Sequence, residues 1–159
     1  MKKQLFEKCS LYCLVVALLF LLSGCTGSQV MVDQKFTVQT SDQFNLEVAN
    51  SAAVPAAELE MLEQMLDRGL RDHNLQGDSP TGLLQVTVTK YRFRSDATRI
   101  LMGNSAGSDA IVSTVTIKRY SDGEILGREE VITHNPTVVS TTDQLIKAHA
   151  EKILSSLSK

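Results

Sequence analysis

The residue types that usually carry chemistry are sparse in this chain of 159 residues, and they are not spaced for catalysis. The three histidines, His73, His134 and His149, show no H-x-x-x-H or other metal-ligand spacing. No G-x-S-x-G turn is present, and the adjacent Glu129 and Glu130 would point to opposite faces of a strand. We therefore expect no enzymatic activity, no metal and no cofactor. The alternative is a small hydrolase whose site uses His134 or His149.

A glycine-rich segment, Gly-Asn-Ser-Ala-Gly-Ser at residues 103–108, has backbone amides that could bind an anion. It lacks the lysine of a nucleotide-binding loop, and a strand rather than a helix is predicted after it. We interpret it as a loop between two strands.

The basic residues around the end of a predicted strand form the strongest candidate binding surface. They are Lys90, Arg92, Arg94 and Arg99. Tyr91 and Phe93 alternate with them, so the surface would suit phosphates of lipid or lipopolysaccharide, or an acidic partner protein. A solvated strand face is the alternative. Nucleic acid is not expected, because 16 Lys and Arg are outnumbered by 18 Asp and Glu.

The N-terminal segment has the pattern of an export signal. Lys2, Lys3 and Lys8 precede an uninterrupted run of 12 apolar residues from Leu11 to Leu22. A membrane-spanning helix needs about 20 apolar residues, so this run is too short to span and fits a signal peptide.

Leu22-Ser23-Gly24-Cys25 resembles the lipobox of bacterial lipoproteins, an aliphatic residue and two small residues before a cysteine. The resemblance implies cleavage between Gly24 and Cys25 and a covalent lipid on the Cys25 sulfur. Thr26 is not the Asp that favours retention in the inner membrane, which implies the outer membrane and a periplasmic domain.

The cysteines support the same organisation. Cys9 and Cys13 would be removed with the signal, so the mature domain would contain no disulfide. The predicted division is a signal peptide over 1–24, a lipidated N-terminus and flexible tether over 25–34, and one domain over 35–159.

The patterning of the remaining chain predicts an α+β fold in the order β-α-β-β-β-α. Strands are predicted over 44–49, 82–94, 109–120 and 124–133, with an additional one over 36–39, and helices over 55–74 and after residue 140. Short loops between the last three strands predict an antiparallel sheet of about four strands, with both helices on one face.

The patterning also predicts irregularities in two strands and two histidines that are buried or at the boundary of the core. The apolar face of the strand over 82–94 continues as basic residues beyond Val88, which requires either a bulge or a strand that extends beyond the core. A simple turn at Asp122-Gly123 would place Ile117 opposite Arg128, so a second bulge is expected, at Gly123 or Gly127. His73 and His149 are expected at the core-facing edges of their helices.

From Tyr91 to Asn135 the sequence resembles a family of bacterial envelope lipoproteins known only as a domain of unknown function, number forty-four-ten. The resembling segments include the basic-aromatic strand end, residues 99–103 and the turn at 122–126. The family implies an envelope location and supplies no activity. The chain is therefore expected to be a membrane-anchored accessory or binding module that contacts the membrane through its lipid, with another envelope protein as a candidate partner. A purely structural lipoprotein is a further alternative.

Overall fold

Five β-strands form one sheet in the computed structural model, which describes residues 27–94, 108–135 and 141–157. The elements, in chain order, are β1 (Gly27–Gln34), β2 (Phe44–Asn50), α1 (Ala56–Asp72), β3 (Gly82–Arg92), β4 (Asp109–Arg119), β5 (Ile125–Asn135) and α2 (Thr142–Leu157). The strands lie side by side in the order β1-β5-β4-β3-β2. The predicted α+β class is confirmed, with five strands in place of about four.

The sheet is mixed rather than wholly antiparallel. The pairs β1–β5, β5–β4 and β4–β3 are antiparallel, whereas β2 pairs with β3 in parallel from Phe44 opposite Gly82 to Asn50 opposite Val88. The parallel pair follows from α1, because the helix returns the chain to the end of the sheet where β2 began. The sequence prediction of an antiparallel sheet did not include this crossover.

Both helices pack on one face of the sheet, as predicted. Pro55 precedes α1, whose buried side chains Leu62, Leu66 and Leu70 recur every four residues. The core lies between the helices and the alternate residues of β3, β4 and β5. Its members from the three strands are Leu84, Val86, Val88, Ile111, Val115, Ile117 and Val131.

A bulge divides β3 into an apolar half and a basic half. Val88 pairs with Ser113 but Lys90 pairs with Val112, so Thr89 is the additional residue. Side chains alternate with a period of two, and the insertion therefore moves Lys90 to the face away from the helices. The predicted bulge is confirmed.

A second bulge lies in the β4–β5 hairpin. Ile117 pairs with Gly127 and Lys118 with Ile125, which leaves Leu126 without an opposite residue. The bulge predicted for this hairpin is present, but at Leu126 rather than at either glycine. Gly123 instead supplies the turn, where its φ of 73° is in the region that favours glycine.

The N-terminal segment differs from the prediction. Of the predicted tether over 25–34, Gly27–Gln34 forms β1, and residues 36–39 leave the sheet instead of forming a strand. β1 is stabilised by its ladder to β5, a partner more than 90 residues later that local patterning does not reveal. Phe36 still contacts the core, because it lies over Gly127 and meets the Phe44 ring edge to face, 6.5 Å between centroids.

Substitution of Gly127 by alanine tests the contact between the segment after β1 and the hairpin. An added Cβ would lie 2.5 Å from the Phe36 Cβ. Because neither atom is at the end of a flexible side chain, we expect Gly127→Ala to lower the free energy of unfolding by about 1–3 kcal/mol in chemical denaturation. Gly27→Ala is the control, since nothing lies within 4 Å of its added Cβ. Equal losses in the two variants would contradict the contact.

Candidate functional site

His149 on α2 is the buried polar residue at the centre of the helix–sheet interface. Its Nε2 lies 2.8 Å from the Ser113 Oγ on β4, and its Nδ1 lies 2.9 Å from the Thr133 Oγ1 on β5. Ser28 on β1 donates to the same threonine hydroxyl at 3.3 Å. A neutral imidazole has one donor and one acceptor nitrogen, so both are satisfied here. The cluster joins three strands to α2.

The His149 cluster is built for stability rather than catalysis. His149, Ser113 and Thr133 are each 0% exposed, so a substrate in solvent cannot contact them. Burial lowers the pKa of His149 to about 3, which keeps the ring neutral and makes it a weak base. The ring contacts two hydroxyls, whereas a Ser-His-Asp site uses a carboxylate to stabilise the imidazolium.

The other two histidines lie apart from this cluster. His73 is exposed, because α1 ends at Asp72 and the chain turns inward only at Leu75; its predicted core position is therefore wrong. His134 is half-buried on β5, on the sheet face opposite His149. Among the described residues, no group of three His, Cys, Asp or Glu side chains is placed to hold a metal ion.

Lys90 and Arg92 lie together at the end of β3. Both are exposed, and both point away from the helices because they follow the Thr89 bulge. They pair with Val112 and Ala110 of β4, respectively. Two of the four predicted basic residues thus form an exposed cationic pair, which we call the β3 cation pair.

Arg94 does not belong to this exposed pair. Its side chain is 4% exposed, and its Nε donates to the Asp109 Oδ1 at 3.0 Å. The Arg94 backbone amide donates to the same oxygen at 2.9 Å. Removal of one partner from such a buried ion pair lowers the free energy of unfolding by about 3–5 kcal/mol. The pair therefore holds the end of β3 against the start of β4. The binding role expected for Arg94 is corrected to a structural one.

Tyr91, between the two exposed cations, points to the helix face. Its burial and the negative charges of Glu58 and Asp109 raise its pKa to about 12, so the phenol stays protonated. Arg99, Gly24 and Cys25 lie outside the described residues, and their predicted roles stay predictions.

The outer edge of β1 lies between two surface pockets. The pocket on the helix side has a volume of about 360 Å³ and is lined by Val30, Val32, Phe36 and Val38, with Ser156 donating to Glu129 at its wall. A second pocket on the other face also reaches the edge and is lined in part by Met31 and Asp33. Its volume is about 410 Å³.

This edge also carries exposed apolar side chains. Met31 is 50% exposed and Val32 is 57% exposed, on opposite faces of β1. An edge strand has unpaired backbone groups that can accept a further strand, and flanking pockets can receive its alternate side chains. Sequence reasoning missed this site because it assigned the segment to a tether, although the alternation around Val30 and Val32 is a strand signal.

None of the helices within 27–94, 108–135 and 141–157 has the length and apolar character needed to cross a membrane.

No protein-family model and no curated protein sequence matches the chain, so the resemblance to the forty-four-ten family is not confirmed. Solved structures do match. A variant of the PelC dodecamer from Paraburkholderia phytofirmans superposes with a TM-score of 0.58, and the PelC dodecamer in another space group with 0.57. In both, the identity is 15%, and the match covers 83% of this chain and 98% of the PelC chain.

A minor lipoprotein from Acinetobacter baumannii is less similar in structure, with a TM-score of 0.42 and 19% identity over 76% of this chain and 94% of that one. At 15% identity, the two PelC structures support the fold of this chain and nothing beyond the fold.

The pH dependence of stability tests the burial of His149. Because its folded pKa of about 3 lies below the ordinary 6.5, the unfolded chain takes up a proton that the folded chain excludes as the pH falls from 6.5 towards 3. This lowers the free energy of unfolding by up to about 1.4 kcal/mol per pH unit, with no such loss above pH 6.5.

We expect His149→Gln to flatten that slope between pH 6 and pH 4 in denaturant titrations, since glutamine has both a donor and an acceptor but does not titrate. His73→Gln, at the exposed end of α1, is the matched control and should retain the slope. A wild-type slope in the His149 variant would show that this histidine is not the titrating group.

Proposed function

We propose that the chain is a lipoprotein of the bacterial outer membrane, held by lipid on Cys25, and that its periplasmic domain is a non-enzymatic accessory module of the cell envelope. The observation that carries the proposal is Leu22-Ser23-Gly24-Cys25 behind a charged and apolar leader, directly before the first strand. Thr26 supports the outer over the inner membrane.

The lipid would supply the anchoring energy. Each methylene group buried in the bilayer contributes about 0.8 kcal/mol to the free energy of binding. One acyl chain therefore anchors a protein only marginally, whereas two or more anchor it stably. A domain held this way is concentrated near partners in the same membrane, which is how an accessory module can act without chemistry of its own.

A non-enzymatic role is supported by the described side chains. The His149 imidazole, which lies between two hydroxyls, is enclosed in the core. Ser156 and Glu129 are hydrogen-bonded at the wall of the apolar pocket, but no histidine is among the residues that line this pocket. The pocket is mainly apolar, which suits the binding of a side chain better than the activation of water.

We propose that the partner of this module is a second copy of the chain, bound along β1. Support comes from the exposed Met31 and Val32 at an edge flanked by pockets. The similarity in fold to a dodecamer, PelC, also favours self-association. Backbone hydrogen bonds along the edge would give affinity, and the pockets would give specificity.

The anchor is tested by Cys25→Ala, which removes the sulfur that would carry the lipid. We expect the variant to leave the membrane fraction of broken cells, while Thr26→Asp stays membrane-bound and moves from the outer to the inner membrane in a density gradient. A Cys25→Ala protein as firmly membrane-bound as the wild type would disprove the lipid anchor.

Self-association is tested by Met31→Lys combined with Val32→Lys, which places charge on both faces of the edge. We expect the purified lipidated protein to form an oligomer in detergent, measured by light scattering, and the double variant to be at least about tenfold weaker in association, because two lysines would have to be desolvated. Tyr120→Lys is the control, since Tyr120 is equally exposed at 57% but lies at the β4–β5 turn. A monomeric wild type would refute the proposal.

A further inference from the structure

We propose that the end of the sheet nearest Cys25 lies against the membrane surface and that Lys90 and Arg92 bind the phosphates of anionic lipid headgroups there. The inference rests on the proposed function, because a lipid on Cys25 is what fixes this end at the bilayer. It goes further by assigning an orientation to the domain and a ligand to the β3 cation pair.

The first step is the length of chain between the lipid and the sheet. Gly27, the first residue of β1, follows Cys25 by two residues. Two residues span at most about 7 Å even when fully extended. Since β1 is hydrogen-bonded into the sheet from Gly27 onwards, little tether is available to let the domain turn freely.

The second step is the register of the strands. Two rows of paired residues cross the sheet at this end, and both point away from the helices. The first row contains Gly27, His134, Ala110 and Arg92, and the second contains Gln29, Ile132, Val112 and Lys90. With strands about 4.8 Å apart, each row is about 15 Å wide. The β3 cation pair is therefore on the same end of the sheet as the residue that follows the anchor.

The third step is the distribution of charge along this face. The two rows nearest the anchor carry Lys90 and Arg92, both exposed, with the half-buried Val112 and Ile132 between the cations and β1. The carboxylates of this face lie in rows farther from the anchor. They include Glu130, opposite Thr114, Glu47, which accepts a hydrogen bond from Gln85, and Asp33, in the pocket beside Met31.

The helices place their acidic residues on the other side of the sheet. Glu58 and Asp143 lie in the first turns of α1 and α2, which begin at this same end of the sheet but pack on the opposite face. The face with the β3 cation pair thus presents cations next to short apolar side chains, a combination that suits the interface of an anionic bilayer. Attraction to that surface decays over a Debye length of about 8–10 Å, so the β3 cation pair contributes only where this end of the sheet faces the bilayer.

The orientation can be measured with a fluorophore on a single thiol. Cys9 and Cys13 would be lost with the signal and the Cys25 sulfur would be in a thioether, so an introduced cysteine is the reactive thiol of the mature protein. Gln29→Cys places the label in the second row, and Ser121→Cys places it at the opposite end, in the exposed β4–β5 turn. The full lipidated protein is reconstituted in vesicles that carry a nitroxide quencher on their headgroups.

Two vesicle compositions separate charge from proximity: equal parts of phosphatidylglycerol and phosphatidylcholine, and phosphatidylcholine alone. We expect strong quenching at position 29 and little at position 121 on the anionic vesicles. Lys90→Glu with Arg92→Glu should lower quenching at position 29 on the anionic vesicles to the level seen on the neutral ones, and have little effect on the neutral ones.

The matched control is Lys118→Glu with Arg128→Glu, which reverses two charges on the same face, farther from the anchor. It should leave quenching at position 29 unchanged. Lys90→Gln with Arg92→Gln, a milder change, should give an intermediate value, and circular dichroism checks that each variant is folded.

The failures are distinguishable. A protein that binds vesicles but shows equal quenching at positions 29 and 121 would overturn the orientation. An equal effect of the two charge reversals would overturn the role of Lys90 and Arg92. A protein that does not stay on the vesicles at all would instead refute the lipid anchor of the proposed function.

Discussion

The pairing of β1 with β5 is the interaction on which the geometry of the molecule depends. Its ladder runs from Gly27 opposite His134 to Gln34 opposite Arg128 and makes the N-terminal segment part of the sheet. The same ladder brings Ser28 to Thr133 and forms one wall of the apolar pocket. An anchor just before β1 would therefore hold a rigid domain, because the first residues after it are already hydrogen-bonded to their neighbours.

The two faces of the sheet have separate roles because one strand changes face part-way along. Before Thr89, β3 contributes apolar side chains to the core; after it, the exposed cations point the other way. The core is not wholly apolar, since His149 forms hydrogen bonds with hydroxyls on two strands. These bonds favour one position of α2 on the sheet over other positions that would bury a similar apolar area. The inserted Thr89 thus determines which face carries the exposed cations, and the His149 imidazole determines how α2 packs on the sheet.

The sequence predicted what local patterning determines. The helices, four of the strands, the presence of both bulges and the burial of His149 follow from periodicity and from conflicts such as Ile117 opposite Arg128. What it missed depends on distant partners: the parallel β2–β3 pair, the β1 ladder and the Arg94–Asp109 ion pair. In the sequence, Arg94 belongs to the same alternating run of basic residues as Lys90 and Arg92. It is buried because it pairs with Asp109, whose position the sequence does not reveal.

The distance along the chain between β1 and β5 has a consequence for biogenesis. Ser28 and Thr133 are 105 residues apart, so the loop that their pairing closes contains nearly the whole domain. Closing such a loop has an entropic cost that local hairpins avoid, and we expect β1 to dock after the other strands have assembled. A chain that emerges N-terminus first would therefore hold β1 without its partner strand until β5, the last strand of the sheet, is available.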